Sequence, residues 1–166
     1  MGVSAAGKST VARRLSGRLK VPFAEGDDFH PLASIKKMAS GRPLDDDDRE
    51  PWLRNLAAWI TETAGARTGA VLSCSALKRR YRDIFRAAGP GVWFLYLELE
   101  REAARSRLSD RTGHFMPPWL LESQYEALQP LQPDEPGLTV DATADMQAKL
   151  ALALAALARL TAGKRP

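Results

Sequence analysis

Gly2-Val3-Ser4-Ala5-Ala6-Gly7-Lys8-Ser9 places two glycines five positions apart and follows them with a lysine and a hydroxyl residue. This is the G-x-x-x-x-G-K-[ST] pattern with every fixed position filled. A loop of this kind turns successive backbone N–H groups into one concavity, and the helix that starts at its end adds its positive pole. The concavity suits phosphate. On this reading Gly2, Ser4, Ala5, Ala6, Gly7, Lys8, Ser9 and Thr10 form a nucleotide site for ATP. Lys8 reaches the β- and γ-phosphates and the Ser9 hydroxyl ligates Mg²⁺. The alternative is a chance match in a glycine-bearing turn. The amphipathic stretch that follows argues against chance, since Val11, Leu15 and Leu19 recur on one face with Arg13, Arg14, Arg18 and Lys20 elsewhere.

Beyond the loop, short apolar runs alternate with helical patterns. Strands are expected over residues 21–25, 71–74, 92–97 and 138–140. Helices are expected over residues 31–39, after the acidic run Asp45-Asp46-Asp47-Asp48, over 78–88 and 100–110, from Pro117-Pro118 to about Leu128, and at the end of the chain. This alternation predicts βαβ units and an α/β fold: a P-loop NTPase-like parallel sheet with helices on both faces, as a single kinase-type domain over residues 1–166. The length of 166 residues and the apolar share of 45% suit one domain with a sizeable core. The formal charge of +4 suits anionic small substrates, although arginine-rich helices account for it equally. One cysteine excludes an internal disulfide framework, and the most apolar stretch, residues 150–160, is too short to span a bilayer. The expectation is a cytoplasmic protein with no membrane or nucleic-acid partner; the basic residues lack interleaved aromatics.

Three further groups carry chemistry. Gly26-Asp27-Asp28-Phe29-His30-Pro31 follows the strand expected over residues 21–25, at the strand end where open α/β sheets bind ligands. Asp27 there could take the proton of an attacking hydroxyl, orient that hydroxyl, or hold a water of the Mg²⁺ shell; equally, two aspartates and a histidine before proline make an ordinary turn. The Asp45–Asp48 run reads better as a helix cap than as a metal site, because it lacks spaced ligands. Lys78, with Arg79, Arg80 and Arg82, makes a basic cluster after Cys74-Ser75-Ala76-Leu77 that suits either an anionic substrate or a solvated helix face. Cys74 reads as packed and not nucleophilic. Arg107 and Arg111 lie four apart, and residues 107–120, with Arg111-Thr112-Gly113-His114-Phe115, read as a mobile lid; a helix salt-bridge network is the alternative.

These stretches together resemble the gluconokinases of the small P-loop, thermoresistant type, relatives of the shikimate kinases. The resemblance rests on Gly7-Lys8-Ser9, Gly26-Asp27 with His30-Pro31, Lys37-Met38-Ala39-Ser40-Gly41, Asp46-Asp47-Asp48-Arg49 with Pro51-Trp52-Leu53, Cys74-Ser75-Ala76-Leu77-Lys78 with Tyr81-Arg82-Asp83, and Ser106-Arg107-Leu108 with Arg111 and Gly113-His114-Phe115. It implies ATP-dependent phosphorylation of D-gluconate at its 6-hydroxyl by a cytoplasmic homodimer. Carried over by position, Lys8, Asp27 and Arg111 become the catalytic set. Asp27, His30, Lys78 and Arg82 become gluconate-binding, and Arg107 and Arg111 become arginines over the ATP phosphates. A kinase of a shikimate-like substrate and a nucleotide-binding protein without turnover are the competing readings.

Two departures stand out. Family loops usually carry glycine where Ala5 stands, and an acidic residue where Pro130 follows Leu128-Gln129. The resemblance also places a strand ahead of the loop, between the strands expected over residues 71–74 and 92–97, and here only Met1 precedes it. The expectation is an absent first strand of five or so apolar residues, each worth roughly 1.5–3 kcal/mol when buried. An N-terminal extension should then exist in the native product, and the 166-residue chain made alone should be poorly soluble, unstable or weakly active.

Overall fold

The computed structural model describes residues 1–66, 69–109 and 118–162. The helix after the glycine loop, α1 (Lys8–Leu19), buries Val11, Ala12 and Leu15, three positions of one stripe. Lys20 ends it at φ 57°, in the left-handed conformation that satisfies a last-turn carbonyl. Strands β1 (Phe23–Glu25), β2 (Val71–Ser73), β3 (Phe94–Glu98) and β4 (Gly137–Asp141) fall within two residues of the expected ones. The remaining helices are α2 (Leu32–Ala39), α3 (Asp46–Gly65), α4 (Arg79–Ala88), α5 (Arg101–Ser109), α6 (Pro118–Ala127) and α7 (Met146–Ala162). The turn that carries Asp27 is a short 3-10 helix, Gly26–Phe29.

The acidic run is a cap, as its spacing suggested. The Asp45 carboxylate accepts the Asp48 backbone N–H at 2.9 Å, and the Asp48 carboxylate accepts the Asp45 N–H at 2.9 Å. This reciprocal pair satisfies donors that the first turn of α3 would otherwise leave unpaired.

The expected single sheet is divided among the described residues. β1 pairs in parallel with β2, and β3 with β4, as two separate ladders. Met1 and Gly2 run between them: the Met1 nitrogen donates to the Leu95 carbonyl, the Met1 carbonyl accepts from Leu97 N–H at 3.0 Å, and Gly2 N–H donates to the Ser75 carbonyl at 3.1 Å. Two residues supply too few backbone groups to build a ladder, so the seat between β2 and β3 is bridged but not paired through.

Each face of the strands has its own core. One gathers Val11 and Leu15 of α1, Leu97, Val140, Leu150 and Ala153 of α7, with Val3 and Ala6 of the glycine loop. The other gathers Trp52, Leu56 and Ile60 of α3, Tyr81 and Phe85 of α4, Cys74 and Phe94. Helices therefore cover both faces, and the glycine loop and the Asp27 turn are brought to the same end of the strands.

Candidate active site

The glycine loop is bent by residues of positive φ. Gly2 stands at φ 136°, Ala5 at 63° and Gly7 at 83°. A Cβ on Gly2 would lie 2.6 Å from the Leu97 carbonyl oxygen, so glycine is required there by space as well as by φ. Gly7 caps α1 without any side-chain acceptor. The first-turn amides of α1 thus keep their polarity directed out of the helix end, as an anion site needs. Lys8 spans the loop, its Nζ donating to the Val3 carbonyl at 2.9 Å.

Ser9 ties this loop to the second group. Its hydroxyl faces that of Ser73, at the end of β2, at 3.5 Å, a weak contact. Gly26 presses on the same strand end; a Cβ on it would lie 2.6 Å from the Ser73 carbonyl oxygen. The Asp27 turn and the phosphate loop therefore meet across Ser73. Cys74 lies in the same wall. Burial pushes its thiol up to about 12, with Asp27 raising it and Lys8 lowering it, so it stays a protonated packing residue as expected.

His30 follows the turn with its ring stacked on Trp52, centroids 4.7 Å apart and planes 6° apart. Its Nδ1 is buried and has no hydrogen-bond partner within the described residues. Burial holds the imidazole below its ordinary proton affinity, with Asp27 opposing and Arg49 assisting, so the ring is neutral at pH 7. Arg49 is a residue whose role the sequence did not disclose. It stands near enough to bias His30, and donates to the Tyr81 hydroxyl at 3.5 Å.

Lys78 caps α4 at the rim of this region. It donates to both oxygens of Asp46 at 2.8 and 2.9 Å; Arg80 and the Tyr81 hydroxyl reach the same carboxylate. The expected basic cluster is thus largely spent on acidic neighbours, for Arg79 pairs with Asp134.

Arg82 requires a correction. It was expected to hold substrate, but its side chain has 0% exposure. It forms a two-pronged ion pair with Glu135 at 2.6 and 2.7 Å, and donates to the carbonyls of Ala76, Leu77 and Gln129. Nothing of the guanidinium is left for a ligand. The partner lies 53 residues downstream in the proline-rich loop, which no local pattern could connect to it.

Arg107 donates from α5 to the carbonyls of Ala5 at 3.2 Å and Ala142 at 3.1 Å. It therefore braces the back of the phosphate loop through its backbone. Arg111 and most of the expected lid lie outside the described residues. A second brace went unread in the sequence: Gln124 of α6 accepts the Ser4 backbone N–H at 2.7 Å and donates to the Ser4 hydroxyl at 2.9 Å.

A glycine-rich loop opening a helix, with an aspartate-bearing turn beside it at the strand ends of an α/β fold, defines the class of P-loop small-molecule kinases. The shikimate kinase family model matches residues 4–134. The chain is 46% identical over 140 residues to a gluconokinase of Gluconobacter oxydans, covering 84% of this chain and 79% of that one. To the thermoresistant gluconokinase of Escherichia coli it is 42% identical over 140 residues, covering 84% and 80%. Among solved structures it resembles an unliganded sugar kinase of Janibacter sp. (TM-score 0.90, 44% identity, 95% of this chain and 91% of that one) and a gluconokinase of Sinorhizobium meliloti (TM-score 0.85, 43% identity, 96% and 90%). The chain belongs to the gluconokinase family, within the shikimate-kinase-like P-loop kinases.

Proposed function

We propose that this protein transfers the γ-phosphoryl group of ATP to the 6-hydroxyl of D-gluconate. The observation that carries the reading is the meeting of the phosphate loop and the Asp27 turn across Ser73, in a chain of this family. On this reading the Asp27 carboxylate would stand beside the place where the anion-binding loop holds the transferred group.

The residues fit the chemistry. The amides of residues 4–10 and Lys8 would hold the ATP phosphates, and Ser9, whose hydroxyl makes a long contact to Ser73, would ligate Mg²⁺. Bound Mg²⁺ supplies charge neutralisation on the phosphoryl oxygens. Among the described residues no three His, Cys, Asp or Glu side chains gather as a metal site, so the ion would take its other ligands from nucleotide and water. Asp27 orients the attacking hydroxyl and accepts its proton as the new O–P bond forms and ADP leaves. A neutral His30 can exchange hydrogen bonds with the polyol. Lys78 offers the acid end of the substrate a cation already held in place by Asp46. The competing substrate class, a cyclic acid of the shikimate kind, offers the same acid and hydroxyl groups to Lys78 and His30; the likeness to gluconokinases favours gluconate. The reading extends, from the resemblance, to a cytoplasmic homodimer.

Coupled ADP release over a panel of sugar acids and shikimate tests the proposal. Turnover with gluconate should exceed that with every other acceptor. Equal ATP turnover with and without acceptor, or preference for shikimate, would contradict it.

A further inference from the structure

One face of α3 grips the Asp27 turn at both ends. Trp52, Asn55 and Trp59 are spaced i, i+3 and i+7, so they share that face. The Trp52 indole N–H donates to the Gly26 carbonyl at 2.7 Å in a fully buried bond. Asn55 donates through its side-chain amide to the Phe29 carbonyl at 3.0 Å. The Phe29 ring meets Trp59 edge-on, with centroids 6.1 Å apart. From the other side the end of β2 presses on Gly26 so closely that no Cβ fits. Asp27 and Asp28 lie between the two gripped carbonyls, and the next residue, His30, lies flat on Trp52.

We propose that Trp52, seconded by Asn55, is a positioning residue for phosphoryl transfer. It fixes where the Asp27 carboxylate and the His30 ring stand relative to the phosphate loop, without touching substrate itself. This rests on the roles given above to Asp27 and His30. Two carbonyls pinned to a rigid helix add an external anchor to a four-residue 3-10 turn, whose bond at its C-terminal end, Asp27 carbonyl to His30 N–H, is a long 3.3 Å. Phenylalanine at position 52 would keep an aromatic face for His30 but remove the buried bond from α3 to the Gly26 carbonyl, freeing the turn to shift. A displacement of about 1 Å at a reacting group can lower turnover about 100-fold.

The test compares Trp52→Phe, Asn55→Ala and Asp27→Asn, singly and combined, by gluconate-dependent ADP release, with melting curves to establish folding. Trp52→Phe should lower kcat about 10- to 100-fold while KM for ATP changes less than about 2-fold. Asn55→Ala, at an exposed position, should lower kcat in the same sense by less. In the Asp27→Asn background both should lower kcat by much less than in the parent, because their effect runs chiefly through Asp27. Should Trp52→Phe not fold, Asn55→Ala carries the comparison. A kcat kept by the folded position-52 or position-55 variants while Asp27→Asn loses its own overturns the positioning role alone. Losses that simply multiply with that of Asp27→Asn overturn it too. A kcat kept by Asp27→Asn overturns the reading of Asp27 and this inference with it.

Discussion

Arg82 and Glu135 form a buried, fully bonded ion pair that fastens the proline-rich loop to the turn after β2. Removing one partner strands the other charge, at about 3–5 kcal/mol. Glu135→Gln should therefore lower the melting temperature sharply, while KM for gluconate, measured well below melting, stays near its original value; a raised KM with unchanged melting would return Arg82 to the substrate site. The Arg82 guanidinium holds the Glu135 carboxyl below its ordinary range. Because the folded value is depressed, the stabilisation is present above the usual glutamate range and is lost as pH falls through the folded value. Acid melting curves should show this loss in the parent and not in Glu135→Gln. Ala5 is the other residue with a measurable signature. Its φ of 63° is one that a Cβ disfavours. Ala5→Gly should raise stability by roughly 1 kcal/mol, less a few tenths for the freer unfolded chain, as read by denaturant unfolding. Unchanged or lower stability would show that the loop holds Ala5 without strain.

At the scale of elements, what was legible followed sequence distance. The phosphate loop, α1 and the cap of α3 are written within a few residues each: the Asp45–Asp48 box needs only three-residue spacing. The strands were legible as apolar runs. The Gly26–Phe29 turn was located, but its grip was hidden because Trp52 and Asn55 lie on a helix 26 residues downstream, where their periodicity reads simply as a buried face. The Arg82 assignment failed for the same reason: a basic run shows charge but not the distant carboxylates that take it up. The brace from α6 is longer still, with 120 residues between Gln124 and Ser4. Gln124→Ala should leave Ser4 without its partner and loosen the cradle, raising KM for ATP several-fold while KM for gluconate changes little. Equal changes in both would mean that α6 supports the whole site and not the loop. Asp45→Ala should remove about 1 kcal/mol of stability by loss of the cap.

Over the whole molecule the site is shared between the two strand pairs. The phosphate loop issues from Met1 and Gly2, which bond to the β3 side and to Ser75 just after β2. The Asp27 turn belongs to the β1–β2 pair. Both cores run across the two pairs, Val71 of β2 packing with Leu97 and Val140 on one face and Phe94 of β3 with Cys74 on the other, so the nucleotide and acceptor sides are joined through the packing as well as through contacts such as Ser9 to Ser73. The central claim is that this geometry joins a phosphate from ATP to the terminal hydroxyl of gluconate. The most direct measurement is the phosphorus–proton correlated NMR spectrum of the product formed from ATP, Mg²⁺ and gluconate, with Lys8→Ala in parallel. The expected product carries a phosphate coupled to the C6 protons, formed by the parent and not by a folded Lys8→Ala variant. A phosphate elsewhere on the sugar acid, no phosphorylated product, or equal product from the variant would contradict it.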